Sequence, residues 1–246
     1  MELCIGTFNI LNTCSNYPAR KPFISKTIQG MNCDIIGIQE VNFEGNLEIL
    51  NFPDYNFEFI RMPNPIFLPI PDFRIDGNAL LIKKDISIIE RHELVYSIAG
   101  RVAQIVKLRK NQTEFLVINT HLDYLSDGNR EAQIKELFEF IRNFGDLPIV
   151  WTGDLNLTPT SVPYSLISQN FRSANVESHG KEPEKTYPTA LEWTYDTALI
   201  PICLDYIWLK GKVNSLFCEV YDQCGSRKVW ASDHFPLRAL IKIHDN

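Results

Sequence analysis

A carboxylate and a carboxamide follow one of the apolar runs of the chain. Residues 147–151 have the composition of a buried strand and lead into Gly153-Asp154-Leu155-Asn156. Side chains two residues apart on an extended chain point the same way, so Asp154 and Asn156 share one side. Burying an acid and an amide is costly unless a metal ion, a phosphate or a hydrogen-bond network compensates. Taken alone, the motif is more typical of an Asx turn that closes a strand.

Similar polar residues stand at the ends of several other apolar runs. Sheet-based enzymes gather their catalytic groups at strand ends, and carboxylates, carboxamides and histidines together suit a hard cation with proton-transfer groups. Each residue has an ordinary structural interpretation by itself, such as a cap for Asn9 or a surface charge for Glu40. The joint pattern is what indicates a site. Its members are Asn9, Glu40, His121, Asp123, Asp154, Asn156, Asp205, Asp233 and His234.

The hydrophobic pattern predicts the sheets that would position these residues. Strands outnumber helices, no strict βαβ repeat occurs, and short turns join several strands, which predicts mixed or antiparallel sheets packed together with helices outside. The clearest helical stripe covers residues 129–143, and weaker helical patterns cover residues 22–31 and 44–50. The predicted strands are residues 3–9, 35–39, 55–61, 77–82, 86–91, 102–108, 114–120, 147–151, 204–209, 213–220 and 236–243.

Two stretches predict long loops. Residues 62–71 have a proline at nearly every second position and cannot pair fully inside a sheet. They fit an extended connector or a wall of a substrate cleft. Residues 178–201 are the second predicted loop, and they contain Trp193 and Tyr195, which fit local packing or a ligand platform.

Composition predicts one intracellular domain. The 246 residues are 45% hydrophobic and nothing marks a second unit, so we expect a single domain over residues 1–246. A net charge of −6 argues against non-specific coating of nucleic acid, although a local basic groove stays compatible with it. Six cysteines without a C-x-x-C pair favour a reduced, cytoplasmic protein. Without a signal peptide or an apolar run near the ~20 residues of a membrane span, we expect no stable membrane insertion.

The order of the motifs resembles the endonuclease/exonuclease/phosphatase superfamily, whose members are deoxyribonuclease I-like. The blocks extend over essentially the whole chain and are Phe-Asn9, Gln-Glu40, Thr-His121-Leu, Gly-Asp154-Leu-Asn156, Asp205-Tyr-Ile and Ser-Asp233-His234. The resemblance implies an α/β fold, a four-layer sandwich of two packed mixed β-sheets flanked by helices. It also implies hydrolysis of a phosphodiester with Mg²⁺ or Mn²⁺ by a protein that is commonly a monomer.

The resemblance assigns metal and water positions to five residues. Glu40 would be the main metal ligand, a hard oxygen donor, with Asn9 beside it and Asp233 as a further candidate ligand. Asp154 would hold and activate the attacking water, and Asn156 would orient that water or the phosphate.

The resemblance also assigns the histidines and two arginines. His234 would contact a phosphate oxygen, with Asp205 as its acidic partner. His121 would be a general acid or a transition-state stabiliser, and a histidine rather than a tyrosine there disfavours an AP endonuclease. Arg130, near the start of the clear helix, and Arg101 are candidates for binding the phosphate.

Three functions stay open at this level. The first, and the one that we expect, is a nuclease or nucleic-acid end-processing phosphodiesterase, in which aromatic residues near the motifs stack bases. The second is a phosphoesterase of sphingomyelinase, inositol-phosphate or cyclic-phosphate type, which the acidic balance slightly favours. The third is a catalytically inactive binding module, which is disfavoured because no motif residue is missing. A zinc site made of His121, His234, Asp154 and Asp205 is also disfavoured, because the sequence has neither thiolates in a metal-binding motif nor an H-E-x-x-H helix. The stacking candidates are Trp151, Trp193, Tyr195, Trp230 and Phe235.

Overall fold

Two six-stranded mixed sheets, packed face to face with helices outside, make up the fold of the computed structural model. The structure describes residues 1–67, 74–191, 200–225 and 229–244. The strands are β1 (Glu2–Asn9), β2 (Ile35–Val41), β3 (Tyr55–Phe67), β4 (Arg74–Lys83), β5 (Ser87–Val95), β6 (Val102–Lys110), β7 (Thr113–His121), β8 (Ile149–Asp154), β9 (Arg172–Ser173), β10 (Asp205–Lys210), β11 (Val213–Val220) and β12 (Leu237–Ile243). The α-helices are α1 (Tyr17–Met31), α2 (Phe43–Leu50), α3 (Asp127–Ile141), α4 (Val162–Ser168) and α5 (Ala174–His179).

The two sheets share one arrangement. The first has the order β11-β12-β1-β2-β4-β3 and the second β5-β6-β7-β8-β10-β9. In each sheet only the central pair is parallel, β1 with β2 and β7 with β8, and every other pairing is antiparallel among the described residues. The carboxyl ends of parallel neighbours meet at one edge, which is where an α/β protein assembles its site.

Three apolar layers hold the sandwich together. Between the sheets, β-strand residues such as Ile5 and Leu80 pack with Val117 and Val150 from the facing sheet. Outside the first sheet lie α1 and α2, and outside the second lie α3 and α4, each with its own buried apolar face. No helix in the described part of the chain is long and apolar enough to cross a membrane.

A polar network joins the sheets directly beneath the end of β2. Gln39 Nε2 donates to Asn119 Oδ1 at 2.7 Å, and Asn119 Nδ2 donates to the carbonyl oxygens of Ile38 and Ala79. Gly37 makes room for it, since a Cβ there would lie 2.4 Å from Thr152 Oγ1. A buried network whose members are all satisfied specifies how the two sheets meet, and here it sets the distance between the ends of β2 and β8.

The predicted architecture and strands are confirmed, with ends that differ by a few residues. The structure adds β9, which has two residues, and the short helices α4 and α5, too short for a periodic signal. Helix α1 begins at Tyr17, earlier than predicted, because Pro18 occupies its first turn, where no N–H is needed.

The prediction of a loop over residues 62–71 is wrong for its first part. Strand β3 continues to Phe67, and its pairing resumes at Ile66 with Ile75 after a register shift beyond Arg61. Because β3 is an edge strand, it tolerates prolines that a central strand would exclude. The second predicted loop begins inside α5, and its Trp193 and Tyr195 lie outside the described residues.

Candidate active site

Strand register aligns three of the predicted residues across the second sheet. His121, the last residue of β7, lies opposite Asp154 at the end of β8, and Asp205, the first residue of β10, lies opposite Asp154 on the other side. Residues paired in register point to the same face of a sheet. The row therefore converges on the Asp154 carboxylate, with His121 Nε2 at 3.6 Å from its Oδ2.

His234 reaches the same carboxylate from the loop that precedes β12. Its Nε2 lies 3.7 Å from Asp154 Oδ2, and its Nδ1 lies 2.8 Å from Asp205 Oδ2. Thr186 positions both Asp205 and His234. Its hydroxyl accepts from the Asp205 N–H, and its carbonyl accepts from the N–H of Phe235, the residue after His234. The predicted pair of Asp205 and His234 is thus in direct contact.

A β-bulge turns Glu40 toward this row from the first sheet. The register of β2 against β4 shifts between Ile38 and Val41, and Glu40 takes a left-handed backbone conformation with φ of 58°. Asn9 Nδ2 donates to Glu40 Oε1 at 3.1 Å and to Asp154 Oδ2 at 2.9 Å. One carboxamide at the end of β1 therefore links the acids of the two sheets.

Asn12 supports Glu40 directly and Arg20 supports the β1–α1 loop that carries Asn12, and the sequence did not single out either residue. Asn12 Nδ2 donates to Glu40 Oε2 at 3.1 Å. Arg20, on α1, is fully buried, and its guanidinium donates to main-chain carbonyls of the β1–α1 loop and of Ala231. These acceptors are Ile10, Leu11, Asn12, Cys14, Ser15 and Ala231. An isolated arginine in a helix is typically a surface residue, so no local pattern could have marked it.

Burial dominates the protonation of the acids. It raises the pKa of the Glu40 carboxyl, and the nearby charge of Asp233 raises it further. It raises the pKa of Asp233 as well, and it raises the pKa of Asp154 to about 7. Ionising three buried carboxyl groups that lie close together is unfavourable, and a bound cation would offset the repulsion between their charges.

The surroundings shift the pKa values of the two histidines in opposite directions. Burial lowers the pKa of His121, and the charge of Arg101 lowers it further. Burial also opposes protonation of His234, but the carboxylates of Asp205 and Asp154 outweigh it and raise the pKa of His234 well above the usual range. Paired groups with opposite shifts are typical of sites where they take different roles.

These groups line a cleft of about 400 Å³. Its walls combine the acids and histidines with apolar and aromatic side chains, and one of these is Ile66, from the stretch of residues 62–71 for which a cleft wall was one of two interpretations. Tyr187 packs its ring 4.9 Å from that of His234, and the Tyr124 side chain is 55% exposed at the rim. The lining residues are Glu40, Ile66, Ile75, Arg101, His121, Tyr124, Asp154, Asn156, Tyr187, Leu204, Asp233 and His234.

Two of the remaining predicted residues line the cleft and one does not. Asn156 donates from its N–H to Asp154 Oδ1 and from Nδ2 to the Leu122 carbonyl, so its amide orders the ends of β7 and β8. Arg101 lines the cleft. Arg130 instead donates to the Asp123 carbonyl and pairs with Asp127 at the start of α3.

Base stacking by Trp151 was a wrong prediction. Its ring is fully buried, packs against Phe138 and Phe171, and donates from Nε1 to Thr120 Oγ1. The rings of Trp230 and Phe235 pack on each other at 5.3 Å, and neither residue lines the cleft.

The donor atoms of the cleft fit a hard divalent cation. Glu40 and Asp233 present oxygen ligands at one side, and Asp205 Oδ1 is buried without a hydrogen-bond partner among the described residues. A mixed group of Asp154, Asp205 and His234 also brings ligand atoms within 4.8 Å of one another. Carboxylate oxygens are the ligands that Mg²⁺ and Mn²⁺ prefer, so by ligand type the carboxylates of Glu40 and Asp233 match these ions better than the group that includes His234.

The fold and this site define a member of a hydrolase family. The similarity of the chain to known proteins identifies that family. The chain belongs to the Endonuclease/Exonuclease/phosphatase family, whose model matches residues 6–234. Family membership supports a hydrolase that acts on phosphoester bonds.

Individual relatives are more distant. The chain is similar to Carbon catabolite repressor protein 4 homolog 3 of Arabidopsis thaliana, with 27% identity over 178 residues, or 66% of this chain and 38% of that protein. It shares its fold with the human Nocturnin catalytic domain (TM-score 0.79, 22% identity, 99% of this chain and 94% of the other). It is also similar to the mannosyl-6-phosphatase Bt3783 of Bacteroides thetaiotaomicron (TM-score 0.81, 18% identity, 98% and 100%).

Replacing Asp154 with asparagine is expected to stabilise the metal-free protein at pH 8. The folded pKa of about 7 exceeds the ordinary value near 4, so the stability linked to this group is present at low pH and is lost as the pH rises toward 7. The full shift corresponds to at most about 4 kcal/mol. Thermal unfolding in EDTA should show Asp154→Asn melting above the wild type at pH 8, with the gap shrinking at pH 5.

The matched control is the exposed Asp146, where the same substitution should leave the melting temperature nearly unchanged at both pH values. Both oxygens of Asp154 accept hydrogen bonds, so the decisive quantity is the change with pH: a wild type that loses no stability relative to Asp154→Asn between pH 5 and pH 8 would contradict the unfavourable ionisation of this carboxyl.

Proposed function

We propose that this protein is a divalent-metal-dependent hydrolase that cleaves a phosphoester by attack of water. The observation that carries the proposal is the meeting of two sets of groups in one cleft. An oxygen set around Glu40 comes from the first sheet, and Asp154 between two histidines comes from the second. Membership of the Endonuclease/Exonuclease/phosphatase family supports the same chemistry.

Each group has a role that its contacts permit. Glu40 and Asp233 would hold Mg²⁺ or Mn²⁺ while Asn9 orients the Glu40 carboxylate, and the metal would neutralise negative charge developing on the phosphoryl oxygens. Asp154 would accept the proton of the attacking water, since Asn9 and the Asn156 N–H fix its orientation. His234 would donate from Nε2 to a phosphoryl oxygen while Asp205 holds its Nδ1.

The lining of the cleft favours a compact substrate. Arg101 is the only lysine or arginine among the described residues that line it, whereas polymeric nucleic acid is bound by many cations. A volume of about 400 Å³ suits one phosphate and a body of nucleotide or sugar-phosphate size. The apolar side chains of Ile66, Ile75 and Leu204 would contact that body.

A phosphodiester within nucleic acid is the second candidate. The observation in its favour is the half-exposed ring of Tyr124 at the cleft rim, because base stacking on aromatic side chains holds single strands without sequence preference. Under this alternative the terminal nucleotide of a strand would enter the cleft and the rest of the strand would stay outside.

A substrate panel separates the two candidates. Mononucleotides, sugar phosphates, inositol phosphates, a cyclic phosphate and sphingomyelin would be compared with single-stranded DNA, duplex DNA, RNA and a 5′-tyrosyl oligonucleotide, each with Mg²⁺, Mn²⁺ or EDTA. We expect metal-dependent release of phosphate or alcohol from a compact substrate, lost in Glu40→Ala and His234→Ala. Activity on polymers alone would favour the second candidate, and full activity in both variants would reject the site.

A further inference from the structure

The two histidines beside Asp154 differ in the group that binds their Nδ1 atoms. His234 Nδ1 lies 2.8 Å from the carboxylate of Asp205. His121 Nδ1 lies 3.2 Å from NH1 of Arg101, in a contact that is buried. Both Nε2 atoms face the same oxygen of Asp154, at 3.6 and 3.7 Å.

Donor and acceptor chemistry decides the tautomers from these contacts. A guanidinium has only donors and a carboxylate has only acceptors. His234 Nδ1 must therefore carry a proton, and His121 Nδ1 must present its lone pair to Arg101. The ring proton of His121 then lies on Nε2, and a second proton on Nδ1 would set two donors and two positive charges against each other.

Arg101 is held where it can impose this tautomer. Its side chain is 2% exposed, it makes no ion pair with a carboxylate in the described part of the chain, and its guanidinium lies 5.9 Å from the Tyr124 ring. Burial lowers the pKa of Arg101, but an arginine guanidinium stays protonated in proteins, so the cation persists. His121 is thus the main polar partner that the structure gives to this cation.

The N–H of His121 remains free to act in the cleft. The distance of 3.6 Å between Nε2 and Asp154 Oδ2 is longer than a hydrogen bond, so Asp154 does not consume that donor. His121 lines the cleft together with Asp154.

We propose that Arg101 is a positioning residue that fixes His121 as the neutral Nε2–H tautomer, so that His121 stabilises the reaction by donating a hydrogen bond and not by releasing a proton. The proposal rests on the phosphoester hydrolysis proposed above. His121 would bind an oxygen of the phosphoryl group or of the leaving alcohol and would keep its proton throughout. The two histidines then have different roles: His234 acts as a cation and His121 as a neutral hydrogen-bond donor.

Nitrogen NMR of the histidine rings tests the tautomer without any substrate. In the ¹⁵N-histidine-labelled protein, in EDTA, we expect His121 to show a protonated Nε2 and an unprotonated Nδ1, with its signals assigned by their loss in His121→Gln. Arg101→Lys keeps a donor and should keep the pattern, whereas Arg101→Met should give a mixture of tautomers. Arg109→Met, a surface change on β6, the strand that follows Arg101, should leave the signals unchanged.

A protonated Nδ1 in the wild type, or an unchanged His121 pattern in Arg101→Met, would overturn the proposal. Either result is obtained without hydrolysis, so it is distinguishable from failure of the proposed function, which the substrate panel alone decides.

Kinetics on the active substrate give a second test. Glutamine can replace a neutral N–H donor but cannot release a proton, so His121→Gln should retain at least about tenfold more kcat than His121→Ala, the value of one good hydrogen bond. A general acid would leave both variants equally impaired, and that outcome would also overturn the proposal.

Discussion

Glu40→Gln is expected to reduce metal-dependent hydrolysis by about 10³-fold or more, because a metal contributes several kcal/mol to a phosphoryl transition state. Glutamine keeps the size of the side chain and removes the charge, and it also replaces one acceptor oxygen with an NH₂ group that would face the donor of Asn9 or Asn12. The bulge that directs residue 40 into the cleft is a main-chain feature of β2 and should persist in the variant. The loss should appear in kcat/KM with Mg²⁺ and with Mn²⁺.

The same substitution should abolish stabilisation by metal. A ligand that binds only the folded state at 100 times its Kd adds about 2.7 kcal/mol to the free energy of unfolding. We expect Mg²⁺ to raise the melting temperature of the wild type and to leave that of Glu40→Gln unchanged. Glu44→Gln is the matched control, because Glu44 lies four residues away with a side chain that is largely exposed.

An unchanged response of Glu40→Gln to Mg²⁺ would show that the cation binds elsewhere. The buried group of Asp154, Asp205 and His234 would then be the first alternative, and Zn²⁺ or Mn²⁺ would be expected to stabilise the protein more than Mg²⁺.

The pair of His234 and Asp205 should show the second large effect. His234→Ala removes a donor beside Asp154 and should lower kcat by about 10²–10⁴-fold, the usual range for a group of this kind. Asp205→Asn leaves the imidazole in place but weakens the contact at Nδ1, and we expect a smaller loss of about 10–100-fold. Steady-state rates over a range of substrate concentrations measure both effects.

Losses of kcat that do not add between Asp205 and His234 would show that the two residues act as one unit. If Asp205 acts only through His234, the double variant should be no slower than His234→Ala alone. Losses that multiply would assign Asp205 a separate role, such as metal binding. His244→Ala is the control, since this exposed histidine binds Asn214 near the last strand.

Much of the fold could be predicted from the sequence because it depends on local patterns. Alternating apolar runs predicted the strands, and the three-and-four spacing of Ile134, Leu137 and Ile141 predicted α3. Where the local pattern was short or unusual, prediction failed. Two residues of β9 carry no periodicity, and the prolines after Met62 concealed an edge strand.

The chemistry of the site was likewise legible as a set of residue types. The acids and histidines at strand ends were named from the sequence, and the structure places Glu40, His121, Asp154, Asp233 and His234 on one cleft. The supporting residues were not named, because their roles depend on partners distant in the chain. Asn12 reaches Glu40 across 28 positions, and Arg20 reaches Ala231 across 211.

The sequence by itself therefore determined the strands, the family and the reactive groups, since these depend on composition, spacing and order. Only the tertiary structure decided which neighbour each reactive group has. It placed Arg130 away from the cleft and buried Trp151 in the core. It also put a carboxylate behind one histidine and a guanidinium behind the other. That difference is physical: a proton is held by the contacts around it, and those contacts exist only once the two sheets have packed.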